Sequence, residues 1–438
     1  MGEESMKAHS EQSQKQTLVI IGAGMAGSKL AHAIATEQGE RYQVVLIGEE
    51  AKMGYNRIML SSLLAKEISE SDMSLVDMPA LTQSGACLIA SDPVVSLTLE
   101  AKSLSLQSGL KIAYDKLVFA TGARASRLPI EGINASNVTQ FRDWADVDLM
   151  SEIPEKSEVC VIGAGLLGLE AAVGMAKRGH RVSVVHRSDN ILNRQLDKKS
   201  ARLLQNNLEK MGICFHLGSA PVALMSSVLQ QNEDKNLVDT VKLASGKLIN
   251  TQLVVLATGI KPEVALAKSA GLAVNKAIKV NAFMETSAQD VFALGECTEF
   301  EQTTFGLVAP IWQQFDVLVD RLTHKSSKFC IEPVATKLKV SGINLFSAGE
   351  IDADQQSKSI TYLDSAQNNY RKLVIKDGVL VGAILYGNVA DGSWYFQLIQ
   401  NKTKVSKVLD QLVFGEAYCH GYDIQNNAFI ENTLSKLA

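Results

Sequence analysis

No two cysteines in this sequence stand in CxxC or CxxxxC spacing; Cys87, Cys160, Cys214, Cys297, Cys330 and Cys419 are all far apart. That spacing argues against a local redox dithiol, a zinc knuckle or a ferredoxin-type cluster. The seven histidines form no HxH or HExxH pattern, so no metal site is expected. There is no GxSxG elbow for a nucleophilic serine. Charge of one sign is also lacking. The 43 basic and 47 acidic residues leave a net charge of −4 with no block of either sign. Neither nucleic acid nor an anionic membrane is therefore expected as a partner. No apolar run is long enough to span a bilayer. The polar stretch Met1 to Gln16 has no apolar h-region of a secretory signal, so it reads as a flexible tail on a cytoplasmic protein. No low-complexity segment occurs.

What is present is a duplicated pattern. Leu18-Val-Ile-Ile21 runs into Gly22, Gly24 and Gly27, and Val159-Cys-Val-Ile162 runs into Gly163, Gly165 and Gly168, each in GxGxxG spacing. The periodicity predicts a helix from Met25 to about Gln38 and another from Leu166 to Lys177, the latter with Leu167, Ala171 and Ala172 facing a sheet. Strands are expected at 43–47, 158–162 and 181–185. Two further apolar runs end in Ala-Thr-Gly, at Thr121-Gly122 and Thr258-Gly259. A last one, Asp290 to Glu296, suggests a return to the first domain. Past about Lys337 the character changes. Lys372 to Leu385 reads as a hairpin turning at Asp377-Gly378, and a capped helix is expected after Asp391-Gly392-Ser393. The expected fold is α/β, with two Rossmann-like domains that bind FAD and NAD(P) and a small α+β C-terminal domain. The FAD-binding domain is placed at 17–147 and 277–325, the NAD(P)-binding domain at 148–276 and the C-terminal domain at 330–438.

The residue types indicate how two dinucleotides would be held. Glycines at these positions permit a tight turn, close approach of a pyrophosphate and close helix–strand packing, and the helix N-terminus offers free N–H groups to phosphates. Glu49, with Glu50 as the alternative, ends the second strand and suits the adenosine ribose of FAD. The second unit lacks that acid. His186 and Arg187 stand there instead, so nothing repels a 2′-phosphate, and Arg187 or Arg194 can pair with it; NADH and NADPH both stay open. Glu170, on the first turns of the second helix, is placed near a nicotinamide, with a plain surface glutamate as the alternative. Gly295-Glu296 is placed at a flavin ribityl chain. Pro310 reads as the first residue of a helix aimed at the flavin pyrimidine edge. No residue is nominated as general acid or base.

In this order of motifs the chain resembles the two-dinucleotide-domain flavoprotein reductases over roughly residues 17–325. Within them it is similar to the NAD(P)H nitrite reductase large subunit and the assimilatory nitrate reductase electron-transfer subunit. The match is carried by Gly54-Tyr-Asn-Arg57-Ile-Met-Leu-Ser-Ser62, Asn193-Arg-Gln-Leu-Asp197, Gly306-Leu-Val-Ala-Pro310, Thr336 to Gly349 and Leu385 to Phe396. The resemblance implies that Arg57 lies close to FAD and that a hydride passes from nicotinamide to flavin. The large relatives continue into iron–sulfur and sirohaem regions, whose cysteine clusters these 438 residues lack. The expectation is therefore a diaphorase half that serves an iron–sulfur, sirohaem or molybdenum protein, or a rubredoxin. Ser62 departs from the lysine that rubredoxin and putidaredoxin reductases tend to carry, and no disulfide adjoins the first helix as in glutathione reductase. The alternatives are an NAD(P)H oxidase, which would use a cysteine near Leu60-Ser61-Ser62, and a non-enzymatic flavin-binding sensor or scaffold. A homodimer and partner docking are both left open for the C-terminal domain.

Overall fold

The computed structural model describes residues 15–226, 237–340, 342–352, 354–423 and 426–429. Most of the expected N-terminal tail lies outside these residues; its last residue, Gln16, begins the first strand. The chain divides into two compact units, one of residues 1–57, 73–124 and 261–330 and one of residues 58–72, 125–260 and 331–438.

The first unit is built on a parallel five-stranded sheet. Its order is Val291–Ala293, Lys116–Phe119, Gln16–Ile21, Tyr42–Ile47, Cys87–Ile89. Leu18 and Ile20 point to one face, where Leu30 and Ile34 of the helix Met25–Glu37 and Leu318 of the helix Val308–Leu322 cover them. Val19 and Ile21 point to the other face, with Val45, Ile47, Leu117 and Phe119. Burial on both faces is why these strands read as unbroken apolar runs instead of alternating ones. The central strand has the chain leaving in opposite directions on its two sides, and the carboxyl end of such a strand is where ligands bind in open α/β sheets.

The second unit repeats this plan. A parallel sheet runs in the order Cys214–His216, Arg181–Val185, Glu158–Ile162, Leu253–Leu256, Val138–Gln140. The helix Leu166–Lys177 buries Leu169, Ala171, Ala172 and Met175. Leu167, expected to face the sheet, is instead 42% exposed. It lies in the first turn, where the helix has just left the end of its strand and has no sheet beneath it.

The same unit carries an antiparallel sheet ordered Ala335–Val340, Ile343–Gly349, Val379–Tyr386, Asn369–Lys376, Ser357–Asp364. Its hairpin turns at Asp377 and Gly378, whose φ of 50° and 77° are the two left-handed conformations a two-residue turn of this hand requires. The helix Gly392–Gln400 follows, but Asp391 does not cap it with its side chain. The nearly buried Arg371 takes that carboxylate in a 2.8 Å ion pair, and satisfying a buried guanidinium outweighs one helix-end hydrogen bond. No helix among the described residues is long and apolar enough to cross a membrane.

Candidate dinucleotide sites

The two glycine fingerprints match down to individual hydrogen bonds. Gly22 donates its N–H to Ile47 O and Gly163 to Val185 O, both at 2.8 Å. Ala120 N–H reaches Ile21 O and Ala257 N–H reaches Ile162 O, again at 2.8 Å. The first glycines have φ of 111° and 118°. A Cβ on Gly22 would lie 2.3 Å from Ala120 O, and one on Gly163 2.2 Å from Ala257 O. A Cβ on the third glycines would lie 1.9 Å from Gly22 O at Gly27 and 2.0 Å from Gly163 O at Gly168. Four of the six glycines are thus demanded by the protein's own backbone.

The middle glycines differ. A Cβ on Gly165 would meet nothing within 4 Å, and one on Gly24 would meet only the Arg57 guanidinium, no nearer than 3.8 Å. Protein packing does not require glycine there. Glycines spared by packing at this position fit the close approach of a ligand. Both helices start at these glycines in extended conformation with no side-chain cap and no acid in the first turn, which leaves their N–H donors and positive dipole ends for phosphate. The residues present therefore fit a dinucleotide pyrophosphate at each fingerprint.

Around the first fingerprint the two acids divide their roles. Glu50 accepts the Tyr55 hydroxyl at 2.6 Å and pairs with Arg57. Glu49 forms a two-point pair with Arg124, at 3.1 and 2.8 Å, and is half exposed. Glu49, Glu263 and Arg124 form one cluster, and the two carboxylates hold the Arg124 guanidinium well above its ordinary pKa. Thr121 spends its hydroxyl on Glu263 O at 2.9 Å, beside Gly122 at φ 65°. Glu296 is half-buried. Gly295 donates its N–H to Gln314 Oε1 at 2.7 Å. Gln314 is fully buried, and its Nε2 has no hydrogen-bond partner among the described residues. A buried orphan donor of this kind is costly unless a ligand accepts from it. Sequence reading missed Gln314; the available signal was a polar residue on the buried stripe of an otherwise apolar helix. Pro310 is buried but is the third residue of its helix, not the first, since the helix starts at Val308. The third N–H of a helix is also unbonded, so proline costs nothing there.

Around the second fingerprint, Ala164 is held twice. Its N–H donates to His186 Nδ1 at 3.2 Å, and its carbonyl accepts Leu192 N–H at 2.9 Å. An Nδ1 that accepts must leave the imidazole proton on Nε2. That Nε2 is buried with no hydrogen-bond partner, as is Ser219 Oγ, and Ser219 N–H donates to His186 O at 3.1 Å. Burial, and to a lesser degree the Arg187 charge, lowers the His186 pKa against an opposing hydrogen bond from Asn193. Arg187 and Arg194 are exposed. Thr258 donates to Ser126 O at 2.7 Å, beside Gly259 at φ 104°.

Glu170 is not the plain surface residue of the alternative reading. It is half-buried, and burial alone pushes its carboxyl up to about 7. A folded-state value above the unfolded one means that ionisation costs stability. That cost is absent below the unfolded value, grows as pH rises towards 7 and is complete above it. Glu170→Gln is therefore expected to stabilise the protein by about 2–3 kcal/mol at pH 8 and by less than about 1 kcal/mol at pH 5. Urea unfolding at the two pH values measures this, and an equal gain at both would contradict it.

Comparison with known proteins bears on both sites. A sequence profile described as pyridine nucleotide-disulphide oxidoreductase matches residues 16–314. The chain belongs to the pyridine nucleotide-disulphide oxidoreductase family. A second profile, the rubredoxin NAD+ reductase C-terminal domain, matches residues 333–403. The chain is 34% identical to the nitrite reductase [NAD(P)H] of Bacillus subtilis, over 90% of this chain and 48% of that protein. It is 34% identical to the assimilatory nitrate reductase electron transfer subunit of the same organism, over 91% of this chain and 51% of that one. It thus spans about half the length of these relatives. The fold is similar to that of putidaredoxin reductase in a covalent complex with putidaredoxin, with a TM-score of 0.80 at 21% identity over 92% of this chain and 96% of that chain. Members of this oxidoreductase family bind FAD and NAD(P)H.

Proposed function

We propose that the chain is the NAD(P)H-oxidising half of an electron-transfer system, with FAD on Gly22, Gly24 and Gly27 and NAD(P)H on Gly163, Gly165 and Gly168. The FAD domain is assigned to 17–147 and 277–325 and the NAD(P) domain to 148–276. The observation that carries the reading is the pair of uncapped helix N-termini whose middle glycines are spared by protein packing. Bound FAD supplies hydride acceptance from nicotinamide and release of electrons one at a time, which nicotinamide does not do readily. The protein's own part is positional. The fingerprint amides hold pyrophosphate, Arg57 and Glu50 shape the flavin loop beside Gly24, and Gln314 offers a buried amide donor near Gly295.

The acceptor in this reading is a separate protein of nitrate or nitrite reduction that carries an iron–sulfur, sirohaem or molybdenum centre; a rubredoxin is the alternative acceptor. The relatives named for nitrite and nitrate reductases support the first group. NADPH is favoured over NADH, because strand Arg181–Val185 ends in His186 and Arg187 instead of an acid. Anaerobic stopped-flow reduction of the purified yellow protein tests both points. Rapid bleaching of the flavin band, faster with NADPH, is the expected result. No bleaching with either nucleotide would favour a flavin-binding sensor or scaffold. Oxygen consumption as fast as the bleaching would favour an oxidase. The C-terminal domain is assigned to partner docking or a homodimer contact, and sizing the protein with residues 330–438 removed separates the two.

A further inference from the structure

The segment 186–196 links the end of strand Arg181–Val185 to the helix Lys198–Lys210, and it lies against the second fingerprint. Leu192 holds a left-handed φ of 48° while fully buried, a conformation that a branched side chain keeps only where its surroundings enforce it. Its N–H donates to Ala164 O, and its own carbonyl accepts the N–H groups of Gln195 and Leu196 at 2.8 and 2.9 Å. The segment ends at Asp197, whose two oxygens have separate partners. Oδ1 accepts the Ser200 N–H at 3.0 Å and the Ser200 hydroxyl at 2.6 Å, which caps the helix. Oδ2 accepts the Tyr370 hydroxyl at 2.7 Å and lies 3.4 Å from Lys372 Nζ.

Tyr370 and Lys372 are two apart on one strand of the antiparallel sheet, so they share a face. Both are buried. Lys372 is completed by Asp352 at 3.5 Å. Ser200, Tyr370 and Lys372 together hold the Asp197 carboxyl below its ordinary range despite burial. Helix capping alone does not need the second oxygen, the tyrosine or the lysine. A charged, hydrogen-bonded tie at the last residue of a strained segment fixes where that segment lies.

We propose that Tyr370 and Lys372 of the C-terminal sheet are positioning residues for the nucleotide site, acting through Asp197 to hold segment 186–196 against Ala164 of the second fingerprint. This rests on the reading that NAD(P)H binds at that fingerprint. The C-terminal domain then has a role inside the half-reaction in addition to any contact with a partner.

The same helix provides a control, because Asn207 donates to the hydroxyl of the buried Tyr386 at 2.6 Å from the same sheet. Tyr370→Phe and Tyr386→Phe each delete one hydroxyl contact between these two elements, but only the first touches Asp197. The experiment uses the full-length FAD-loaded protein. NADP+ and adenosine 2′,5′-bisphosphate binding are followed by calorimetry, amide hydrogen exchange of 188–196 is followed without ligand, and steady-state KM and kcat are measured with NADPH. Tyr370→Phe is expected to weaken NADP+ binding about 5- to 10-fold. It should also speed exchange at Leu192 and Leu196, raise KM and leave kcat and flavin content within twofold. Lys372→Met should change all of these in the same direction. Tyr386→Phe should leave affinity and exchange within twofold. The proposal is overturned if Tyr370→Phe changes neither affinity nor exchange, or if Tyr386→Phe changes both as much. If the wild-type chain binds neither NADP+ nor NAD+, the nucleotide assignment fails, and the exchange comparison still decides whether Tyr370 holds the segment.

Discussion

Arg187→Glu is expected to turn the chain against NADPH. In a dinucleotide fold, the residue just past the second strand reads the 2′ position of the adenosine ribose. A carboxylate there accepts the ribose hydroxyl and repels a 2′-phosphate, whereas an arginine pairs with the phosphate. Here the strand Arg181–Val185 runs into His186, Arg187 and Ser188. Arg187 makes no ion pair among the described residues and is exposed, so its charge is available to a ligand. The one carboxylate within 186–194 is Asp189. A charge-assisted hydrogen bond is worth about 1.5–3 kcal/mol, and reversing the charge adds repulsion. The variant should lose about 100-fold in kcat/KM for NADPH and change by less than about 3-fold for NADH. Parallel stopped-flow reductions with the two nucleotides measure this. An equal loss for both would make Arg187 a structural residue, and no loss would make it an ordinary solvated one.

Gly163→Ala should abolish reduction by either nucleotide while leaving the flavin bound. The site combines two penalties. Its φ of 118° is closed to alanine, and the new Cβ would lie 2.2 Å from the Ala257 carbonyl oxygen. Backbone on both sides leaves no flexible side chain to move away. The expected cost is about 2–4 kcal/mol of stability in that unit. Displacement of the loop should also pull Ala164 from His186 and Leu192. The FAD fingerprint lies in the other compact unit, so flavin absorbance should remain near the wild-type ratio. Gly165→Ala is the informative partner, because its Cβ would meet no protein atom within 4 Å. It should fold as well as wild type and still bind nucleotide at least 10-fold more weakly. Thermal unfolding and NADP+ titration of the pair separate the two roles. Equal unfolding temperatures for the two variants, or undiminished nucleotide binding by Gly165→Ala, would contradict this division.

The sequence by itself determined what depends on neighbours along the chain. Unbroken apolar runs closed by glycine, followed by apolar spacing near 3.6, marked both strand–turn–helix units, and the helix Leu166–Lys177 has the expected ends. Asp377-Gly378 marked a hairpin because few residue pairs accept two consecutive positive φ values. The missing acid after Val185 was equally legible, since it is a matter of residue type at a counted position.

Tertiary structure decided everything that depends on which distant segments meet. Glu49 and Glu50 are neighbours of the same type, and only the fold gives one to Arg124 and the other to Tyr55 and Arg57. Glu170 looks like any helix glutamate until burial raises its pKa. Gln314 acquires meaning only when Gly295 is brought to its Oε1. Asp391 reads as a helix cap, but Arg371 from a neighbouring strand takes its carboxylate. Asp197 and Tyr370 are 173 residues apart in sequence and 2.7 Å apart in space. Local periodicity reports which face of an element is buried; it does not report which polar group arrives from the far end of the chain. In a buried site, that arrival sets the charge, the hydrogen-bond partner and hence the role of a residue.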